Sequence, residues 1–396
     1  MENKLLHTPE GVRDIYNDEC EKKQFILSEM RKVIHSYGYR FIETPTFEFF
    51  DIFGKEVGTT PSKDLYKFFD REGNTLVLRP DITPSVARAA SKYFPIDKKP
   101  VRLCYEGNVF INNNSYQGRL KESTQLGVEF IGENSIDADS EIIAMVVKNL
   151  LKVGLEEFQI SIGHAELFRG LVKEAGFDEE QTERLRNLIL NKNFFGVDEF
   201  IERFHLPDSL VTLFDLLGKM YATPKEWAYA LDLAKDYPEI EDALMYMKKL
   251  YEILEIYGVS KYVSFEMGLI SSYQYYTGIL FSGYTFGSGE PIVKGGRYDG
   301  LLSYFGKEAP AIGFALMVDQ LLIALERQNI NLQKPIEQEV ILYTKENRKI
   351  AVATAEELRN HGKVVTMVRM DLTNRCVDDY QKEYATKSLT VLDGEL

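Results

Sequence analysis

The apolar positions nearest the N-terminus predict an amphipathic helix over Asn17–Tyr37, with Gly38 as its C-terminal cap. Its apolar residues recur at helical spacing: Phe25, Ile26, Met30, Val33 and Ile34. The short apolar stretch Arg40–Pro45 ends at a proline, which favours a strand. A helix packed on a sheet occurs in many folds, so this pair alone assigns no function.

Alternating apolar residues next predict a β-hairpin in Leu65–Arg79, with its turn at Asp70–Asn74. The stretch Ser140–Val153 carries an apolar stripe at helical spacing and ends before a glycine. Residues 158–162 then alternate as a strand. The first part of the chain is therefore predicted to mix strands and helices.

The pattern becomes helical between residues 165 and 258, where Leu, Glu and Lys recur at helical period and strand signals are few. We predict an all-helical insertion, 165–258, within a domain formed by residues 1–164 and 259–325. Strands are predicted again at 263–267 and 275–284.

A small α/β domain is predicted over residues 337–396, after the polar, proline-containing linker Glu326–Gln338. Its predicted elements are a strand, a helix and two further strands: Val340–Tyr343, Ile350–His361, Lys363–Val368 and Ser388–Leu392.

The composition is that of an ordinary globular chain, with 396 residues, 44% hydrophobic and 27% charged. No apolar run approaches the roughly 18 residues that span a bilayer, and MENKLLHTPEG at the N-terminus has no hydrophobic core of signal-peptide type. We therefore expect a cytoplasmic protein without membrane contact.

Charge and cysteine usage restrict the partners and cofactors. The net charge is −14, whereas nucleic-acid binding draws its affinity from Lys and Arg, so no nucleic acid is expected. The chain has three cysteines, none in a CxxC pair, and five histidines. Neither a metal site nor a disulfide framework is expected, and no cofactor is predicted.

Candidate chemistry is carried by polar residues on predicted strands. Arg79–Thr83 follows an apolar strand, and Gln125 and Glu129 lie four residues apart on another, so both side chains point to one face. The segments Tyr275–Gly278 and Gly295–Gly300 add tyrosines on a strand and at a glycine-framed turn. Taken singly, each could equally be a surface polar group or an ordinary turn.

Two further features are interpreted as structural. Phe286–Pro291 lacks the spacing and the Lys-Ser/Thr ending of a phosphate loop, so we interpret it as a hairpin tip. His164 has no Asp or Ser partner at motif spacing, which favours a structural histidine.

Taken together, these segments resemble the catalytic domain of the class II histidyl-tRNA synthetases over roughly residues 8–325. The resemblance rests on their order: Thr8–Asp14, LRPDIT, the block Val101–Gly132, YYTG, GGRYDG and Pro310–Leu316. It implies an α+β fold in which an antiparallel sheet is flanked by helices, with a dimer interface. Residues 337–396 resemble a truncated anticodon-binding domain of that family.

The resemblance also implies a histidine pocket. Asp81, Thr83 and Gln125 match the residues that hold the amino group in that family, although Asp81 is one methylene shorter than the synthetase glutamate. The residues that match the imidazole-binding set are Glu129, Tyr276 and Tyr298. Carboxylate and carbonyl acceptors suit an ammonium and an imidazole N–H.

The positions that match the ATP-binding residues are altered. Ile111 stands where the family has an α-phosphate-binding arginine, Asn113 where it has a glutamate, and Ser271 where it has the catalytic arginine. Asp319-Gln320 replaces a Glu-Arg pair, and Arg119 is the one matching cation that remains. Each lost charge-assisted contact costs on the order of 2–5 kcal/mol, so we do not expect aminoacylation.

This one-sided pattern resembles a paralogous family, the regulatory subunits of ATP phosphoribosyltransferase. That resemblance implies a non-catalytic subunit that activates a short catalytic ATP phosphoribosyltransferase and contributes to histidine feedback inhibition in the first step of histidine biosynthesis. It also implies a homodimer within a hetero-oligomer, with histidine as a ligand. The alternatives are a standalone histidine-binding sensor or scaffold and, less in keeping with Ile111 and Ser271, an active histidyl-tRNA synthetase.

Overall fold

The structure is a computed structural model, which describes residues 6–54, 60–96, 98–113, 120–218, 224–270, 276–332, 338–370, 377–384 and 388–392. The chain divides into two compact units, Met1–Leu332 and Gln333–Leu396. Arg119 and Ser271 lie outside the described residues.

The first unit contains most of the regular elements. Its strands are β1 (Arg40–Phe41), β2 (Phe47–Phe49), β3 (Lys67–Phe69), β4 (Thr75–Leu78), β5 (Val101–Phe110), β6 (Glu122–Ile131), β7 (Phe158–His164), β8 (Val263–Phe265), β9 (Ile279–Thr285), β10 (Val293–Arg297) and β11 (Ala311–Met317). Its helices are α1 (Asn17–Ser36), α2 (Thr83–Tyr93), α3 (Ile136–Lys152), α4 (Ala165–Glu174), α5 (Glu179–Leu190), α6 (Phe194–Ile201), α7 (Asp208–Leu216), α8 (Pro224–Leu233), α9 (Pro238–Ile256) and α10 (Val318–Arg327).

An eight-stranded sheet forms the centre of this unit, in the order β1-β5-β6-β11-β10-β9-β7-β8. The edge pairs β1–β5 and β7–β8 are parallel, and the pairs between them are antiparallel. The predicted antiparallel sheet flanked by helices is thus confirmed, with a parallel pair at each edge. A smaller sheet, β2-β4-β3, contains the predicted hairpin.

Helices α1, α3 and α10 bury their apolar stripes in one core with the central sheet, as Ile26, Ile143 and Leu321 illustrate. The prediction for α1 is confirmed to within a residue at its end. Helix α3 begins at Ile136, earlier than predicted, because the Ser135 side chain accepts a hydrogen bond from the Ala138 backbone N–H.

Residues between 165 and 256 form six helices, α4 to α9, in the described part of that segment. They enclose a core of their own, in which Leu171, Leu185 and Phe214 are buried. Three strand predictions were too long: β1 ends at Phe41, four residues before Pro45, β8 ends at Phe265, and β9 begins only at Ile279.

The second unit is a three-stranded parallel sheet with two described helices. Its elements are β12 (Gln338–Tyr343), α11 (Arg348–Asn360), β13 (Val364–Arg369), α12 (Val377–Glu383) and β14 (Ser388–Leu392), in the strand order β13-β12-β14. The polar linker prediction overran at both ends, because α10 continues to Arg327 and β12 begins at Gln338. Nowhere in the described chain does a helix combine the length and the apolarity needed to cross a membrane.

Candidate functional site

A cavity of about 570 Å³ opens on the central sheet, and the predicted amino-acid-binding residues line it together. They come from the start of α2, from β6, from the segment before β9 and from the end of β10: Asp81, Thr83, Gln125, Glu129, Tyr276 and Tyr298. The seventh candidate, Arg119, lies outside the described residues.

The strand register explains why one face of the sheet can hold a ligand. Glu129 on β6 lies opposite Gly313 on β11, which lies opposite Gly296 on β10. A Cβ atom at Gly313 would stand 1.9 Å from Glu129 Oε2, and one at Gly296 would stand 2.7 Å from the Tyr276 ring. These two glycines therefore keep a row of the sheet open for Glu129 and Tyr276.

Glu129 is the buried acid at the centre of the cavity, only 1% exposed. Its Oε1 accepts a hydrogen bond from Thr83 Oγ1 at 2.7 Å, and its Oε2 accepts one from the Tyr298 hydroxyl at 2.5 Å. Burial raises the pKa of Glu129 to about 8, and the nearby charge of Asp81 adds to the rise, whereas the two hydroxyl donors oppose it. A ligand that brings a cation or an N–H group would stabilise the ionised form.

Asp81 contributes to the start of α2 as well as to the cavity wall. Its Oδ1 accepts hydrogen bonds from the backbone N–H groups of Ile82 at 2.7 Å and Thr83 at 3.4 Å. Burial raises the pKa of this carboxyl, and the two backbone donors and the charge of Lys294 act in the opposite direction. The carboxyl is thus fixed in orientation at the cavity wall, as a ligand-binding acceptor needs to be.

Gln125 carries a buried acceptor without a partner. Its side-chain oxygen is inaccessible to solvent and has no hydrogen-bond partner among the described residues. Its Nε2 makes only a weak contact, 3.9 Å long, with Met317 Sδ. Because buried polar atoms are nearly always hydrogen-bonded in folded proteins, this oxygen indicates an acceptor for a ligand donor.

The same cavity is also lined by the substituted positions. Ile111 and Asn113 line it, as does Gln320. Asp319 is 4% exposed and already paired: Lys23 Nζ lies 2.7 Å from its Oδ1, and the Thr124 backbone N–H donates to its Oδ2 at 2.6 Å. This carboxylate therefore ties α1 to β6 and α10, a use that leaves it little capacity to bind a ligand.

Sequence reasoning missed Lys294, which lines the cavity from β10. Lys294, Gly296 and Tyr298 alternate along the strand, and side chains two residues apart share a face. That period of two, applied backwards from Tyr298, would have placed Lys294 on the wall.

Two arginines within the motifs prove to be structural. Arg79, 6% exposed, donates to the Thr44 and Asn108 carbonyl oxygens, each at 2.9 Å. Arg297 is buried in an ion pair with Asp139 on α3. Neither guanidinium lines the cavity.

The two features interpreted as structural, His164 and the hairpin tip, adopt the predicted local structure, although Gly289, Glu290 and Pro291 of the tip also line the cavity. His164 caps α4 by accepting from the Glu166 backbone N–H at 3.3 Å, and burial lowers its pKa to about 4. Residues 286–291 form the tip between the antiparallel strands β9 and β10. Among the described residues, no group of three or more His, Cys, Asp or Glu side chains is placed to hold a metal ion.

Comparison with known proteins assigns the fold to a family of proteins. Residues 11–321 match the family model for histidyl-tRNA synthetase. A histidyl-tRNA synthetase structure from Nostoc sp. PCC 7120 has the same fold, with a TM-score of 0.80 at 18% identity over 96% of this chain and 89% of that one. The fold is that of a histidyl-tRNA synthetase-like protein of class II.

Relatives of higher identity carry a more specific name. An ATP phosphoribosyltransferase regulatory subunit from Acetivibrio thermocellus is 41% identical over 98% of this chain and 93% of its own length. One from Ruminiclostridium cellulolyticum is also 41% identical, over 97% and 91%. A crystal structure described as an ATP phosphoribosyltransferase regulatory subunit/histidyl-tRNA synthetase from Bacillus halodurans has a TM-score of 0.88 at 34% identity, over 99% of both chains. The chain belongs to the family of ATP phosphoribosyltransferase regulatory subunits.

Proposed function

We propose that this chain is a non-catalytic subunit that activates a short catalytic ATP phosphoribosyltransferase in the cytoplasm and makes it sensitive to histidine. The names of its relatives support the regulatory role. In this proposal the chain forms a homodimer within a hetero-oligomer, and the partner performs the phosphoribosyl transfer.

The observation that carries the proposal is the contrast between two sets of residues in the cavity wall. The first set consists of polar acceptors: the buried Glu129 with its two hydroxyl donors, the fixed Asp81 and the unpartnered oxygen of Gln125. These acceptors fit the two donor groups of histidine, the ammonium and the imidazole. Histidine bound there would offer an N–H donor to the Gln125 side-chain oxygen, which has no partner among the described residues.

The second set of residues in the cavity wall argues against adenylation of that histidine. Transfer from ATP develops negative charge on the phosphates, which synthetases stabilise with fixed cations. Here the described positions that match the family's ATP-binding residues are Ile111, Asn113, Asp319 and Gln320, none of which is cationic. We therefore propose that histidine acts in this pocket as an effector rather than as a substrate.

Reconstitution tests the proposal. The chain is co-expressed with a short ATP phosphoribosyltransferase, the complex is purified through a tag on one partner, and turnover is measured with and without the chain and with increasing histidine. We expect co-purification, higher turnover with the chain present, and inhibition by histidine only in the complex.

Two outcomes would contradict the proposal. Failure to bind or activate the catalytic subunit would favour a standalone histidine sensor. Histidine-dependent ATP–pyrophosphate exchange by the isolated chain would show that adenylation has been retained after all.

A further inference from the structure

Lys294 lies in the wall of the cavity but is not one of the residues assigned above to histidine binding. In the register of the sheet it lies beside Ala315 on β11, which lies beside Gly127 on β6. Both neighbours have small side chains, so they leave space on this face of the sheet beside the long lysine side chain. Lys294 itself is exposed, although the flanking residues Val293 and Gly295 are buried.

The charge balance of the wall makes this lysine unusual. Among the described lining residues it is the one Lys or Arg, beside five carboxyl groups: Asp64, Asp81, Glu129, Glu290 and Asp319. Its charge opposes the effect of burial on the pKa of the Asp81 carboxyl.

A free amino acid presents an anion that these carboxyl groups would repel. Its ammonium and imidazole can donate to the carboxyl groups of the wall, but its α-carboxylate needs a cation or several N–H donors. We propose that the ammonium of Lys294 binds the α-carboxylate of the ligand, so that the pocket selects a free amino acid over an analogue without a carboxylate. This inference rests on the proposed function, in which histidine occupies the same cavity.

The sheet geometry allows one ligand to contact both Lys294 and Glu129. Lys294 lies two strands away from Glu129, about 10 Å across the sheet, and two residues away from its row, about 7 Å along the strand. The side chains of Lys294 and Glu129 extend over the same face, so a molecule of amino-acid size between them can contact both. Histidine placed with its imidazole at Glu129 then directs its backbone groups towards Asp81, Gln125 and Lys294.

Calorimetric titration of the full chain tests this assignment. Histidine and histamine, which is histidine without its carboxylate, are titrated into the wild type, Lys294→Met and Lys294→Arg. The matched control is Lys249→Met, at an exposed lysine of α9. Thermal unfolding of each variant verifies that the fold is kept.

We expect Lys294→Met to weaken histidine binding about 10- to 100-fold, the loss of one hydrogen bond to a charged group. Histamine affinity should stay at the wild-type value, Lys294→Arg should retain most of the histidine affinity, and Lys249→Met should behave as wild type. A surface lysine without a binding role would not weaken histidine binding while leaving histamine binding unchanged.

Three results would overturn the inference. Unchanged histidine affinity in Lys294→Met would remove the carboxylate contact while leaving the proposed histidine pocket intact. Equal losses for histidine and histamine would make Lys294 a residue that only shapes the cavity. If the wild type binds no histidine at all, the proposed pocket itself is wrong, and the inference fails with it.

Discussion

At the scale of single residues, Glu129 is the side chain on which the proposed histidine binding depends. A carboxyl that is 1% exposed and has two hydroxyl donors but no described cation beside it is a poor arrangement for stability alone. Strongly perturbed acids in cavities are typical of binding and catalytic sites. We interpret Glu129 as an acceptor kept ready for a ligand that brings an N–H group or a positive charge.

The raised pKa of Glu129 predicts a particular pH dependence of stability. Because burial raises it from about 4.5 to about 8, the folded chain binds an extra proton between these pH values, and stability falls as pH rises through that window. The slope can reach about 1.4 kcal/mol per pH unit. Glu129→Gln removes this titration, so its free energy of unfolding should fall less steeply than that of the wild type between pH 5 and pH 8.

Urea unfolding at several pH values measures this difference. Glu122→Gln, at the start of the same strand β6, is the matched control and should keep the slope of the wild type. Parallel pH profiles for the wild type and Glu129→Gln would contradict the environment described for Glu129.

Residue-level prediction from sequence succeeded where the motif and the strand period agreed. Gln125 and Glu129 share a face because they are four residues apart on one strand, and both line the cavity. The pairing of Asp319 with Lys23 could not be foreseen, because it joins residues almost three hundred positions apart and depends on the packing of α1. The register that places two glycines beside Glu129 likewise requires the assembled sheet.

At the scale of elements, a buried ion pair with its hydrogen bonds fixes the end of β10, the strand that carries Lys294 and directly precedes Tyr298. Arg297, 4% exposed, pairs with Asp139 in the first turn of α3, and the Tyr246 hydroxyl on α9 donates to Asp139 Oδ2 at 2.7 Å. Arg297 Nη1 also donates to the Glu133 carbonyl at 3.1 Å. One strand and two helices are therefore held through a single carboxylate.

Removal of that charge should be costly. Asp139→Asn keeps the shape but removes the closer of the two carboxylates that pair with the buried Arg297 guanidinium, and Asp299 Oδ1 remains 3.5 Å away. We therefore expect a loss of about 3 kcal/mol in the free energy of unfolding, at the low end for a broken buried ion pair. Asp137→Asn, at an exposed position in the same helical turn, should cost under about 1 kcal/mol. A urea midpoint for Asp139→Asn equal to that of Asp137→Asn would show that the ion pair adds no stability.

Element prediction worked best for long amphipathic helices and less well for short strands. The twenty residues of α1 give several turns of apolar periodicity, whereas β1 spans two residues and is fixed mainly by its pairing with β5. Helix α12 was not predicted, because its seven residues, VDDYQKE, include few apolar positions. Tyr380 is one of them, and it is buried. Short elements of this kind are determined by the units they pack on rather than by their own sequence.

At the scale of the whole molecule, the order of the motifs predicted the fold of the first unit, because each motif occupies a fixed strand or turn of the class II sheet. The names of the relatives then separate two uses of that fold, synthesis of aminoacyl-tRNA and regulation of a transferase. The substitutions at Ile111, Asn113 and Gln320 agree with the second use. Sequence could not predict the orphaned oxygen of Gln125 or the charge balance of the cavity, since both depend on the complete wall.

The central claim is that histidine bound at Glu129 controls a partner enzyme while this chain performs no chemistry. Its most direct test is the turnover of the reconstituted transferase complex containing Glu129→Gln, measured against histidine concentration. We expect the variant complex to keep its activation of the catalytic subunit but to need at least about tenfold more histidine for half-inhibition, the effect of a lost charged hydrogen bond. Inhibition at the same histidine concentration as the wild-type complex would contradict it.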